Sequence, residues 1–347
     1  MKNKAAKLRA VSALVGTIIG AGIFALPYVA YNLGFFVFSS LLLLISILST
    51  VVNQLYVSVI NSTHGDHQLP GYAAIYTGKW GEYFSFVFLI LGLYGALTAY
   101  LVQGGEFLTS IFPVTRGLAV FLFWLVLALL LFFGLRVASW GQLVISLCLV
   151  GLIVSFFLFS MASFQPPVGA LKALLESNSL SIGEFGSLLG VIIFAFGGTS
   201  AVPEAEEILR ERPEQLSIVV NLASVVVTVL YFLFTAAVVV ISKKGVTPAA
   251  LAGLAAAVGG PSLVMAPLIG VLALGSSFLL LSYSLREVFY RDFEVPLSIS
   301  WLLAVVPPLV LALVLRLGFI SILSFVGSVG IGFSWVFVLL IYYCLNS

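Results

Sequence analysis

Residues Gly16 to Tyr28 read GTIIGAGIFALPY. The stretch lies inside the first long apolar run of the chain, yet Gly16, Gly20 and Gly22 fall within seven residues and Pro27 follows five positions later. Glycine loses more conformational freedom in a helix than any other residue, and proline removes a backbone donor and clashes with the preceding turn. A helix surrounded by lipid has no reason to carry both unless it is built to open.

The surroundings are lipid. Of 347 residues, 62% are hydrophobic and 8% are charged, with a mean hydropathy of +1.22, whereas a soluble domain is about 25% charged. A helix needs roughly 20 apolar residues to cross the hydrocarbon, and ten charge-poor runs qualify. They lie near 9–32, 36–60, 83–111, 117–135, 140–161, 186–208, 217–242, 262–285, 297–315 and 320–345. The reading is therefore an all-α polytopic membrane protein, a single domain over 1–347. The start, MKNKAAKLRA, imitates a signal peptide, but its apolar run continues to Asn32 and nine further spans follow. With the N-terminus in the cytoplasm, ten of the fifteen Lys and Arg residues fall inside. That bias predicts both termini cytoplasmic in a cell (inner or plasma) membrane.

Several function classes drop out. The net charge of +2 and the lack of long basic runs exclude a nucleic-acid partner. Cys148 and Cys344 sit in apolar spans, so neither disulfides nor a metal cluster is expected. His64 and His67 have weak metal spacing but no third ligand, and read as an ordinary loop. No nucleophile, base and orienting group come together, and no nucleotide-binding loop is present, so the chain is not read as an enzyme and no cofactor is expected. Residues 70–82, PGYAAIYTGKWGE, predict a short interfacial helix with Tyr72, Tyr76 and Trp80 at headgroup depth.

The opening motif has a partner. Gly20-Ala21-Gly22-Ile23-Phe24-Ala25-Leu26-Pro27 in span one aligns with Phe196-Gly197-Gly198-Thr199-Ser200-Ala201-Val202-Pro203 in span six, at an offset close to half the chain length. Five spans precede the second copy, so the halves run in opposite senses. That is an inverted repeat, the first copy about 9–161 and the second about 186–345. Small residues at this spacing also serve tight helix packing, but packing does not ask for a proline at the same place in both halves. A break at mid-membrane does. It frees peptide groups that a ligand must satisfy, with N–H groups and positive dipole for a carboxylate and carbonyls for a cation.

GTIIGAGIFALPY in span one, FAFGGTSAVPE (Phe194 to Glu204) in span six and AYLVQGGEFL (Ala99 to Leu108) in span three resemble bacterial amino acid permeases of the amino acid/polyamine/organocation (APC) superfamily. The likeness is greatest to the amino acid/auxin permease and aromatic amino acid permease branches. The resemblance implies the leucine-transporter (LeuT) fold of five plus five helices, with spans one and six broken at Gly20, Gly22, Gly197 and Gly198. It implies that Gly20, Ala21 and Gly22 hold the substrate carboxylate. Carbonyls near Phe194, Ala195 and Phe196 would take its ammonium, Phe196 would gate the site, and Gly95, Ala99 and Tyr100 would face the breaks.

Carried over in the same way, a sodium site would comprise the carbonyls of Gly16, Ile19 and Ala273 with the hydroxyls of Ser276 and Ser277. Serines in membrane helices also bond back to their own helix, so this remains one of two readings. For coupling to protons the candidates are Glu106, near the end of span three, and Glu204, just after the second break. Glu106 also reads as an interfacial residue and Glu204 as a charge at a helix start. Span 140–161 has no Lys, Arg or His to stand in for an ion, which favours a real cation.

The expectation is a monomeric secondary transporter in the lipid bilayer, carrying a neutral, large apolar or aromatic amino acid by Na+ or H+ symport. The alternatives are an uncoupled exchanger, or a channel-like or sensor protein keeping the same fold.

Overall fold

The computed structural model describes residues 2–65, 67–132, 151, 180–210, 212–241, 246–248, 250–251, 262–315 and 317–347. Among them every regular element is helical. The long apolar runs become α1 (Lys2–Ile19), α2 (Gly22–Leu33), α3 (Phe35–Ser62), α4 (Leu69–Ile111) and α5 (Arg116–Phe132). They continue with α6 (Ile182–Ala195), α7 (Val202–Ile208), α8 (Leu216–Ile241), α9 (Ser262–Glu287), α10 (Leu297–Val314), α11 (Phe319–Phe325) and α12 (Gly332–Asn346). Short π-helical stretches extend α9 over Val288–Asp292 and join α11 to α12 over Val326–Ile331.

Seven helices among the described residues are long and apolar enough to cross a membrane, or eight if α1 and α2 count as one bent span. Most expected runs reappear within a few residues. The expected span 117–135 is the 17-residue α5 as far as Phe132. Span 140–161 lies outside the described residues except for Gly151, as do most of the segments 162–185 and 243–261.

Local chemistry sets the ends. Ser181 and Glu184 form a reciprocal capping box at the start of α6, Ser181 N–H donating to Glu184 Oε2 at 2.8 Å and Glu184 N–H to Ser181 Oγ at 3.3 Å. α4 begins at Leu69-Pro70, where the Asp292 carboxylate accepts Gln68 N–H at 3.3 Å and Gly71 N–H at 3.2 Å. The start of the expected segment 70–82 does form a short helix: residues 69–77 are set apart from the long remainder of α4 by the non-helical backbone of Gly78 (φ 72°, ψ −169°). Tyr72 is 2% exposed and packs edge-on against Tyr56, while Trp80 is 78% exposed.

Lipid is as apolar as leucine, so helices associate through close packing and hydrogen bonds rather than by escaping water. α4 and α6 meet the π-helical stretch at glycines. A Cβ on Gly92 would lie 3.3 Å from Gly330 Cα, and one on Gly190 would lie 2.5 Å from Ser328 Oγ. Pro307 within α10 has no N–H for Leu303 O, and Tyr94 of α4 donates its hydroxyl to that carbonyl at 2.8 Å. The interrupted helices pack crosswise, α2 on α6 and α1 on α7, which brings both interruptions to one place.

Candidate functional site

The first interruption is short. α1 ends at Ile19, α2 begins at Gly22, and the axes diverge by 49°. Gly20 makes the corner at φ +29°, a backbone conformation that a side chain disfavours. It also faces Tyr100 of α4, whose hydroxyl would stand 2.5 Å from any Cβ at this position. The Ala21 N–H is directed at the same hydroxyl.

The second interruption is longer. α6 ends at Ala195, and Phe196, Gly197 and Gly198 lead through a 3₁₀ turn at Thr199–Ala201 into α7. Tight local bonds partly replace the helical ones, Gly197 N–H to Phe194 O at 3.0 Å and Ala201 N–H to Gly198 O at 3.0 Å. Side chains supply the remainder. Ser49 of α3 donates to Phe196 O at 3.1 Å. Thr199 Oγ1 accepts from Trp335 Nε1 at 3.1 Å and donates to Asn53 Oδ1 at 2.8 Å, linking α12, the turn and α3. Each of these polar groups is buried and would be costly unpaired.

Beside the two interruptions lies a cavity of about 670 Å³, counting the part open to solvent. Thr17 and Ile18 of α1, Ala96 and Tyr100 of α4, and Phe194 and Gly197 at the second interruption wall one side. It continues past Leu89 to Tyr56 and Gln68, and no described residue lining it is charged. Leu89 and Tyr100 are about 16 Å apart by helical rise, so the space is elongated.

Among the residues expected to bind substrate, Tyr100 and Phe194 line this cavity and Gly20 stands against Tyr100. Gly22 and Ala195 face one another instead, a Cβ on Gly22 lying 2.7 Å from Ala195 Cα. Phe196 is buried edge-on against Tyr231 at 5.4 Å and is not among the residues lining the cavity. Gly95 points at Val326 and Ala99 is buried away from the lining. Gly92 and Ala96 line the cavity together with Tyr100, so the facing stripe of α4 runs one residue on from Gly95 and Ala99. Gly197 abuts Ile331 and Gly198 abuts Ile18.

Of the expected cation ligands, Ser277 and Gly16 meet across helices, while Ser276 bonds back to its own helix. Ser277 Oγ donates to Gly16 O at 3.1 Å, and Ser276 Oγ to Ala273 O at 2.8 Å. The carbonyl of Ile19 lies 3.4 Å from the Tyr231 hydroxyl. Among the described residues no cluster of three or more His, Cys, Asp or Glu could hold a metal.

The two carboxylates differ. Glu106 is 43% exposed and 3.7 Å from Arg116. Glu204 is partly buried, with Oε1 accepting from Ser284 Oγ at 2.5 Å and Gln68 Nε2 at 3.5 Å, and with a buried Oε2 that has no hydrogen-bond partner. Nearby, Arg291 bridges Glu287 at 2.6 Å and Glu207 at 3.2 Å, so Glu207 belongs to an ion-pair chain.

Tyr231, Ser49, Asn53 and Trp335 were not singled out from sequence. One signal existed: Ser46, Ser49 and Asn53 recur at helical spacing within an apolar span, a polar stripe that must face protein. The aromatics gave none, because a tyrosine or tryptophan in such a span reads equally as packing.

Known proteins agree with this architecture. A model of the tryptophan/tyrosine permease family matches residues 3–343. The tyrosine-specific transport system 1 of Haemophilus influenzae is 26% identical over 340 residues, covering 91% of this chain and 82% of its own. The crystal structure of MhsT in complex with L-phenylalanine superposes with a TM-score of 0.64 over 96% of this chain and 88% of that one. At 15% identity, that likeness speaks for the fold.

Proposed function

Since the chain belongs to the tryptophan/tyrosine permease family, and so to the amino acid permeases of APC type, we propose that it carries a neutral aromatic amino acid across the membrane by alternating access, driven by a cation gradient. Its relatives are transport proteins rather than enzymes. The observation that carries the reading is the meeting of two interrupted helices beside an elongated, uncharged cavity walled by Phe194, Tyr100 and Tyr56.

On this reading the chain has ten spans in two inverted repeats, 9–161 and 186–345, in a cell membrane with both termini cytoplasmic. The interruptions lie at mid-membrane. Backbone at Gly20 and Ala21, with the Tyr100 hydroxyl, receives the carboxylate, and the carbonyl side of the second interruption receives the ammonium. The aromatic side chain extends along α4 past Ala96 toward Leu89. A carboxylate gains from N–H donors at a helix start, and a cavity without charge penalises a cationic or acidic side chain. The relative specific for tyrosine fits this substrate class.

For the coupling ion, Gly16, Ile19, Ala273, Ser276 and Ser277 offer an all-oxygen set suited to Na+. A proton is the second reading, favoured by the buried, unpaired Oε2 of Glu204. Glu106 is a weaker carrier because it is half exposed beside Arg116.

The test is uptake of labelled L-tyrosine, L-tryptophan and L-phenylalanine into proteoliposomes under imposed Na+ or H+ gradients. Saturable, gradient-driven uptake with mutual competition is expected, and lysine and glutamate should not compete. Counterflow without accumulation under either gradient would make it an exchanger. Neither uptake nor counterflow would exclude transport and leave a sensor-like protein on this fold.

A further inference from the structure

One side chain of α8 touches both interruptions. Tyr231 is fully buried, and its Oη stands 2.7 Å from Ile18 O, 3.4 Å from Ile19 O and 2.7 Å from Ala195 O. Ile18 and Ile19 end α1, and Ala195 ends α6. Carbonyls in the last turn of a helix lack intrahelical partners and carry the negative end of its dipole. Two such ends therefore converge on one enclosed point, and the hydroxyl brings a single hydrogen to three acceptors. Space there is closed by the contact of Gly22 with Ala195 and by the Phe196 ring.

We propose that the Tyr231 hydroxyl plugs a latent monovalent-cation position formed by the carbonyls of Ile18, Ile19 and Ala195, pinning the two interrupted helices together without binding an ion there. A focus of carbonyl oxygens suits a hard cation, and oxygens 2.7 Å from the centre are too distant for Mg2+, which requires about 2.0–2.1 Å. Tyr231 thus acts as a positioning residue. Its neutral donor supplies the minimum positive character that keeps two negative helix ends adjacent, whatever ion binds at Ser276 and Ser277.

The test is Tyr231→Phe, which keeps the ring and its packing on Phe196 and removes the plug alone. Purified wild type and variant are melted in choline, Na+ and K+ chloride at equal ionic strength, and both are repeated in a Ser277→Ala background to remove the other cation position from the comparison. In choline the variant should melt about 5 °C lower, as expected for stranding buried carbonyls in a large protein. Na+ or K+ should restore at least half of that loss in both backgrounds, while the wild type shows no such gain in the Ser277→Ala background. A drop that no cation reverses would make Tyr231 ordinary packing, and an unchanged melt would mean the carbonyls need no plug. Either result overturns the proposal. If Tyr231→Phe does not fold in choline, recovery of folded, monodisperse protein only when Na+ or K+ is present during purification supports it, and failure in all three salts overturns it. Failure of wild-type uptake would defeat the transport reading without touching this melt comparison.

Discussion

The two interruptions look alike in sequence and differ in construction. The first is a two-residue corner made by the backbone of Gly20, and the second is a six-residue detour tied down by Ser49, Asn53 and Trp335. Their glycines do different jobs. Gly20 adopts a positive φ, Gly22 lets α2 touch the backbone of Ala195, and Gly197 and Gly198 make room for the side chains of Ile331 and Ile18. A matching glycine pattern therefore marks where two helices open. It does not reveal how each is held.

The contrast makes Gly22→Ala the most damaging small change. Its methyl would meet the backbone of Ala195, which cannot rotate away, whereas the methyl of Gly198→Ala meets the flexible side chain of Ile18. Overpacking against backbone costs about 3 kcal/mol, so proteoliposome uptake should fall roughly a hundredfold for Gly22→Ala, at about tenfold per 1.4 kcal/mol. Gly198→Ala should lose no more than about fivefold by the same scale. Equal losses would mean that both glycines serve one purpose.

Next is Asn53→Ala, which strips the second interruption of one of its three ties and leaves the Thr199 hydroxyl hydrogen without its acceptor. A loss of about 1–3 kcal/mol in stability is expected, read as a lower melting temperature, with uptake reduced several-fold. The first interruption, having no such tether to α3, predicts a smaller response to removal of its own partner, Ser277→Ala. That variant should shift the Na+ concentration dependence more than the melt, and an unchanged Na+ dependence would count against the oxygen set.

Glu204→Gln keeps the shape of the side chain that Ser284 and Gln68 contact and removes its titration. If protons drive transport, accumulation against a gradient should disappear while counterflow persists. Full accumulation in the variant would leave Na+ as the driver. The smallest effect belongs to Glu106→Gln, since an exposed ion pair contributes about 0–1 kcal/mol, and uptake should stay within about twofold of wild type on the same energy scale.

How much of this was legible beforehand depended on contrast within the sequence. Span edges were readable because charge and loop residues punctuate apolar runs, and α8, expected at 217–242, occupies Leu216–Ile241. The interruptions were readable because glycine and proline are conspicuous in lipid-facing helices. The facing stripe of α4 was not. Gly92, Gly95, Ala96 and Ala99 are all small and apolar, so no polar residue marks which side meets the cavity. Tyr231 was hidden for a related reason, since its role comes from carbonyls distant in the chain and leaves no trace at its own position.

The central claim is that an amino acid sits beside the two interruptions, and a cysteine at Ala96 tests it directly. With Cys148 and Cys344 replaced by serine, Ala96→Cys faces the cavity and Ala99→Cys does not. The transported aromatic amino acid should slow thiol labelling at 96 by about tenfold at saturating concentration, as occupancy of a shared space requires, and leave 99 unaffected. If a transport-active variant is labelled at 96 equally fast with and without that amino acid, its binding site lies elsewhere.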